Sequence, residues 1–352
     1  MKTLPLGKVP WDILASIVQK QGFMHNKGII QASEPGVDVA VLDLEEVIAQ
    51  VNKTYGTEGF PYLVYKADPI TFPTPNPAEY LILINKNDIA TAGAIPYGIT
   101  STILMPPSST EANLVEIQDN LSKVCEREQI SILGGHTEIT SSVENPILSA
   151  SMIGFVPPEY YIPRNPQKGD AIICSGWIGA EGTGILLSVG QNYFLEKITS
   201  LEYQNGIEIG KQLDISNQVI ECNKKWHDSL HLVHDATEGG ILAALYECLT
   251  PKGFGCKINL EKIPIAEVTK KIANILNIDP FKLISSGAVI YICDKDLAPL
   301  IVKFLTKIGF PASVVGEVSE KGTQILINDN IGEPPKADHL IKGLNRLEFL
   351  KK

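Results

Sequence analysis

Residues 230–249 read LHLVHDATEGGILAALYECL, and this stretch decides the fold class. Leu230 to His234 alternates as a short strand, Asp235 opens a turn, and Thr237 to Leu249 carries an apolar stripe at helical spacing. A strand that feeds through a polar turn into an amphipathic helix is the unit of mixed α/β architecture. The same switch between periods 2 and 3.6 recurs along the chain, so helical bundles and pure β-sandwiches are excluded.

Working outward, Trp11, Leu14, Ile17 and Val18 form a helical stripe, and Val37 to Asp43 and Phe60 to Lys66 read as strands. Pro77 through Ala90 reads as a helix with proline in its first turn and Gly93 as its stop. Ile99 to Met105 is strand-like. Thr110 is placed to cap a helix with the stripe Leu114, Ile117, Leu121, Val124, and Ser131 to Leu133 leads into an expected loop, Gly134 to Glu138. Pro157, Pro158, Pro163 and Pro166 bar helix or central strand between Val156 and Gly169, which places a domain break there. The expected domains are residues 1–158 and 159–352. In the second, Asp170 to Ser175, Ala288 to Cys293, Ala312 to Val318 and Gln324 to Ile327 read as strands, Gly182 to Val189 and Pro299 to Ile308 as helices.

The 352 residues carry 44% hydrophobic and 20% charged side chains, enough apolar material for packed cores. A formal charge of -10, with no basic run longer than a lysine pair, argues against nucleic acid and anionic membrane as partners. Neither a signal-peptide core nor an 18-residue apolar window occurs, so a cytoplasmic protein is expected. The six cysteines form no CxxC, and buried reduced thiols are expected.

Chemistry is sought where acids sit at element ends. Asp38 interrupts an apolar strand, Asp68 follows Lys66 at a strand end, Asn87-Asp88 lies in the last turns of an apolar helix, and Asp235 opens the turn quoted above. An acid near a helix C-terminus opposes the helix dipole by about 0.3 to 1 kcal/mol, so Asp88 needs a compensating cation or donor. Separated carboxylates converging on one cleft are what Mg2+ and nucleotide phosphates need where no P-loop exists, and this chain contains none. His136, between two glycines and Thr137-Glu138, is a candidate general base or phosphate donor. Gly176 to Gly184, between a strand and a helix, reads either as a phosphate cradle or as a sharp turn needing positive φ. His227, His231 and His234 have zinc-like spacing, but a strand would point the last two away from a common ion.

Six blocks in order resemble the AIR synthase-related superfamily. Gly36-Val-Asp38-Val-Ala-Val41 is similar to its GDDAAV strand, Asn87-Asp88-Ile-Ala-Thr-Ala-Gly93-Ala-Ile-Pro96 to its NDLA-x-x-GA-x-P helix, and Leu133-Gly134-Gly135-His136-Thr137-Glu138 to its GG-[DHE]-T loop. Lys168 to Gly176 resembles GD-x-I-[IV]-SG, His234 to Glu247 resembles HDPT-x-GG…E, and Val314 to Val318 the late IGEV strand. Within the superfamily the nearest resemblance is to the hydrogenase-maturation HypE proteins.

The resemblance implies a two-domain α/β (α+β) fold, an N-terminal sheet domain pairing across a homodimer and a C-terminal α/β domain. It implies Mg-ATP bound without a P-loop, with Asp38, Asp68 and Asp88 at the metal. Lys66, Asn87, Gly134, Gly135, Thr137, Thr237 and Glu238 are implied at the nucleotide, and His136, Glu138 and Asp235 in catalysis. The implied chemistry is ATP-dependent activation of a carbonyl or amide oxygen on a small-molecule or protein-borne acceptor. Alternatives are a kinase of the thiamine-phosphate kinase or selenophosphate synthase type, or a nucleotide-binding assembly subunit without catalysis. HypE proteins end in a Pro-Arg-x-Cys tail; this sequence ends Arg346 to Lys352 with its last cysteine at Cys293, so it is not expected to run that chemistry on its own tail. Val37 also stands where the strand motif has its first acid.

Overall fold

The computed structural model describes residues 3–21, 26–34, 36–71, 74 and 76–350, which leaves the Lys351-Lys352 pair outside. The chain divides into two compact units, Met1–Tyr161 and Ile162–Lys352.

In the first unit a five-stranded sheet has the order Gly7–Lys8, Ser131–Ile139, Ile95–Met105, Ile147–Val156, Tyr62–Ile70. Period-2 alternation gives it two different faces. Ile99, Ile103, Leu148 and Met152 are fully buried on one, under the helices Pro77–Thr91 and Glu111–Glu128. Gly154 shows how close that packing is, since a Cβ there would lie 2.4 Å from Ile89 Cγ2. On the other face Leu63 and Tyr65 are 62% and 65% exposed, and the helix Leu44–Tyr55 covers the end near Tyr97 and Phe155.

The helices begin and end where local chemistry allows. Asn76 caps Pro77–Thr91 with proline at its first position, and Gly93 follows at φ +78°. Thr110 and Asn113 form a reciprocal capping box on Glu111–Glu128.

Four expectations are corrected. Gly134 to Glu138 is no loop: it continues the strand Ser131–Ile139, paired in parallel with Ile95–Met105. The glycines serve strand packing, because a Cβ on Gly135 would lie 2.4 Å from the Ser101 carbonyl oxygen. Only Val41–Leu42 of the Val37 to Asp43 stretch is strand, and residues 37–39 are exposed, with no strand among the described residues to pair with. The Phe60 to Lys66 strand is Tyr62–Ile70, with Pro69 tolerated because the strand lies at the sheet edge. The helix expected from Thr237 begins at Gly240, after Gly239 turns the chain at φ +78°.

The second unit holds a seven-stranded, largely antiparallel sheet ordered Asn330–Ile331, Ile325–Ile327, Phe254–Ile258, Ala312–Lys321, Ala171–Ser175, Val289–Cys293, Leu230–Asp235. Val289–Cys293 is buried at every position. Ile290 and Ile292 pack with the helix Gly240–Leu249, and the Tyr291 hydroxyl reaches Gln218 on the helix Ser216–Trp226. All six cysteines are free and buried, and burial pushes the Cys125, Cys222, Cys256 and Cys293 thiols up to about 12, so they are inert at neutral pH. Among the described residues no helix is long and apolar enough to cross a membrane.

Candidate active site

One transverse row of the first sheet joins several expected site residues: Asp68 is opposite Ala150, Ala150 opposite Ser101, and Ser101 opposite Gly135. Partners in register share a face, and three ladder steps span about 14 Å.

At one end of the row Lys66 and Asp68, two residues apart and so on the same face, approach to 3.5 Å. The Lys66 ammonium also lies 3.1 Å from Asp88 Oδ2 in the last turn of Pro77–Thr91. This is the compensating cation that the acid at the helix C-terminus requires. Asn85 belongs to the same cluster: its Nδ2 donates to the carbonyls of Leu81 (2.9 Å) and Asp68 (3.4 Å), while its Oδ1 is buried without a hydrogen-bond partner. Asn87 is fully buried in the helix.

At the other end lies a cavity of about 590 Å3, lined among others by Lys8, Asp38, Gln118, Gly134, His136 and Thr137. That volume is within the range of nucleotide-sized ligand pockets. The strand Ser131–Ile139 meets Gly7–Lys8 only at Glu138 and Ile139, so among the described residues no strand covers its edge along 134–137. Backbone amides on such an edge are available to a ligand. His136 and Glu138 share the outward face, Nε2 to Oε2 3.1 Å, the pairing that orients an imidazole for proton transfer.

The structure therefore brings Lys66, Asp68 and Asp88 together, and separately places Asp38 with Gly134 to Thr137. The three expected metal carboxylates do not converge on one point. Among the described residues the one group with metal-ligand spacing is Asp170, His231 and Asp294 in the second unit. There Asp170 accepts from the Gln167 amide (2.7 Å) and contacts His231 Nδ1 (2.8 Å), an arrangement that clamps the segment before the strand Ala171–Ser175. The hydrogen bond that His231 donates to Asp170 raises the His231 pKa. His231 and His234 do not converge on an ion: His234 pairs with Glu247 at 2.9 Å.

The second unit holds the remaining expected residues. Asp235 is 2% exposed at the end of its strand, Thr237 is half-buried, and Glu238 is exposed. The Gly239 amide donates to Asp338 at 2.6 Å. Glu181, on the helix Ala180–Val189, accepts from the Ser286 amide at 2.8 Å; burial pushes its carboxyl up to about 7, with Asp338 and Asp235 adding to the rise. The glycine-rich stretch is a sharp turn: Gly176 and Gly179 sit at φ +90° and +71°, and a Cβ on Gly176 would lie 2.3 Å from the Gly287 carbonyl.

Sequence reasoning passed over Lys8, Asn85, Glu181 and Asp338. Asn85 precedes Asp88 by three residues on an assigned helix, a spacing that places both on one face. Lys8 stands in a two-residue strand too short for any periodicity to show.

Asp68 and Asp88 are hard oxygen donors already holding a cation, with an unsatisfied Asn85 carbonyl oxygen in the same cluster. These groups fit Mg2+, which takes one or two protein carboxylates and fills its other positions with water or phosphate oxygens.

Comparison with known proteins gives a consistent result. Models of the N-terminal and C-terminal domains of AIR synthase related proteins match residues 38–156 and 167–328. A hydrogenase expression/formation protein of Methanocaldococcus jannaschii is 27% identical over 88% of this chain and 94% of its own. The carbamoyl dehydratase HypE of Escherichia coli is 22% identical over 81% of each chain, and a crystal structure of E. coli HypE matches with a TM-score of 0.72 at 18% identity, covering 94% of this chain and 99% of that one. A HypE solved in complex with ATP matches with a TM-score of 0.66 at 16% identity, over 85% of this chain and 96% of that one. With its two domain models matched in order over most of its length, the chain belongs to the AIR synthase related protein family.

Proposed function

We propose that this chain is an ATP-dependent enzyme of the HypE type, which binds Mg-ATP without a P-loop and phosphorylates a carbonyl or amide oxygen of its acceptor. The observation that carries the reading is the Asp68–Lys66–Asp88 cluster on the same sheet row as Gly135, whose strand edge borders the cavity. The names of the relatives, a carbamoyl dehydratase and a HypE solved with ATP, support the same class.

In this reading Asp68 and Asp88 would hold the metal, whose charge would offset that of the phosphates, and Lys66 would turn to face them. Asp38 and the 134–137 edge border the polyphosphate. His136, oriented by Glu138, takes the proton that the attacking amide releases. Phosphorylating an amide oxygen turns it into a leaving group, so its departure as phosphate, with loss of the amide protons, removes the elements of water. Most of the rate would come from positioning and charge neutralisation, as is general for phosphoryl transfer. Asp235, Thr237 and Glu238 are the second unit's candidate contributors. The exposed sheet face bearing Leu63 and Tyr65 is the proposed contact with a second copy, in a cytoplasmic homodimer.

The test is Mg2+-dependent nucleotide turnover with candidate amide acceptors, with product mass read alongside. Loss of water from the acceptor is expected. A stable phosphorylated acceptor would indicate a kinase instead. Absence of turnover in folded, nucleotide-bound protein with every acceptor would favour an assembly subunit.

A further inference from the structure

We infer that Lys8 is the cation that binds the terminal phosphate of the nucleotide. This assignment rests on the Mg-ATP reading above and adds to it a residue on an element that reading does not use.

A polyphosphate in this cavity needs positive charge from the protein, because Asp38 and Glu34 both line it. Among the described residues Lys8 is the one lysine or arginine that lines it. Its backbone is fixed on both sides. Val9 is 3% exposed and Leu4 8%, the Leu4 amide donates to the Ser109 carbonyl at 2.9 Å, and the Pro10 carbonyl accepts from Leu14 at the same distance. Between these anchors Gly7–Lys8 pairs antiparallel with the end of the strand Ser131–Ile139, Lys8 opposite Glu138.

Lys8 itself is exposed, and no carboxylate among the described residues pairs with it. Glu138, its cross-strand neighbour, is engaged by His136 instead. The result is a lysine whose main chain is held by buried neighbours while its ammonium is left available, next to the pair that would handle the transferred proton. A lysine acts on phosphate as a mobile point charge and needs only such placement. Its register beside Glu138 and His136 puts it at the reacting end of the nucleotide, hence the terminal phosphate.

The test is calorimetric titration of AMP, ADP and a non-hydrolysable ATP analogue, each with Mg2+, into the full chain and into Lys8→Met and Lys8→Arg. Loss of one charged hydrogen-bonding partner predicts about tenfold or more weaker binding of the triphosphate to Lys8→Met. AMP should be nearly unaffected, and Lys8→Arg should recover most of the loss. Unchanged triphosphate affinity in Lys8→Met would overturn the assignment, as would an equal loss for all three nucleotides. A wild-type chain that bound none of them would overturn the Mg-ATP reading itself, a result distinct from either.

Discussion

The ammonium of Lys66 lies 3.1 Å from Oδ2 of Asp88, joining an edge strand to the last turn of a helix whose dipole disfavours an acid there. The strand and the helix pack against each other at several other positions, so this ion pair is not their sole contact. Asp88→Ala is therefore expected to weaken binding of a Mg2+–ATP analogue by about tenfold or more while the folded state persists, since one charged ligand contact is lost. Calorimetric titration with a parallel thermal melt checks this. Unchanged affinity in a folded variant would remove Asp88 from the site.

The two neighbouring glycines should respond differently to alanine. At Gly135 a Cβ would lie 2.4 Å from the Ser101 carbonyl, whereas at Gly134 the nearest atom is Thr100 Cγ2 at 3.8 Å. Gly135→Ala is expected to destabilise the chain by about 1–3 kcal/mol, the usual range for overpacking, and Gly134→Ala by much less. Denaturant midpoints of the two variants decide it, and equal midpoints would show that the close approach to Ser101 is not what selects glycine at 135.

Glu181 makes stability depend on pH. Its carboxyl is raised from 4.5 to about 7 by burial, so the folded state favours the protonated form. That contribution is fully present below about pH 4.5 and is lost as pH rises through about 7, amounting to about 3 kcal/mol across the window. Glu181→Gln stays neutral and can still accept from the Ser286 amide. It should therefore be more stable than wild type at pH 8 and lose most of the difference by pH 5. Chemical unfolding at the two pH values measures this, and a pH-independent difference would contradict it.

The outward sheet face predicts the oligomeric state. Tyr65 and Leu63 are largely exposed on it, and the Tyr65 hydroxyl reaches Ser151 on the next strand at 3.1 Å. Light scattering is expected to give a dimer for wild type and a monomer for Tyr65→Asp, because an unpaired charge would be desolvated in the contact. A monomeric wild type would show that this face does not pair.

The legibility of the fold varied with what each residue type can report. Caps and stops were readable because their chemistry is local: Asn76-Pro77, Gly93 and Thr110 act through their own backbone and side chain. The diglycine at 134–135 misled, because glycine signals permission for a tight turn and for close strand packing alike, and only the Ser101 carbonyl opposite decides between them. Valines 37 and 39 have strand propensity but, among the described residues, no strand beside them to complete a ladder, whereas Val41 pairs with Gln31. In the candidate site, Asp68 was recognisable from its place at a strand end and Asp88 from its helix-end motif. The role of Lys66 as the link between them required the register of the edge strand over the helix. Lys8 became visible only from tertiary placement, whereas Asn85 had a signal in its spacing from Asp88 on the same helix.

The central claim is that Mg2+ and a triphosphate occupy the first unit between Asp68–Asp88 and the 134–137 strand edge. A crystal soaked with Mg2+ and a non-hydrolysable ATP analogue tests it most directly. The account predicts a metal about 2.1 Å from carboxylate oxygens of Asp68 and Asp88, with Lys66 moved onto the phosphates and the triphosphate beside residues 134–137. A nucleotide bound elsewhere, with Lys66 still bridging Asp68 and Asp88, would contradict it.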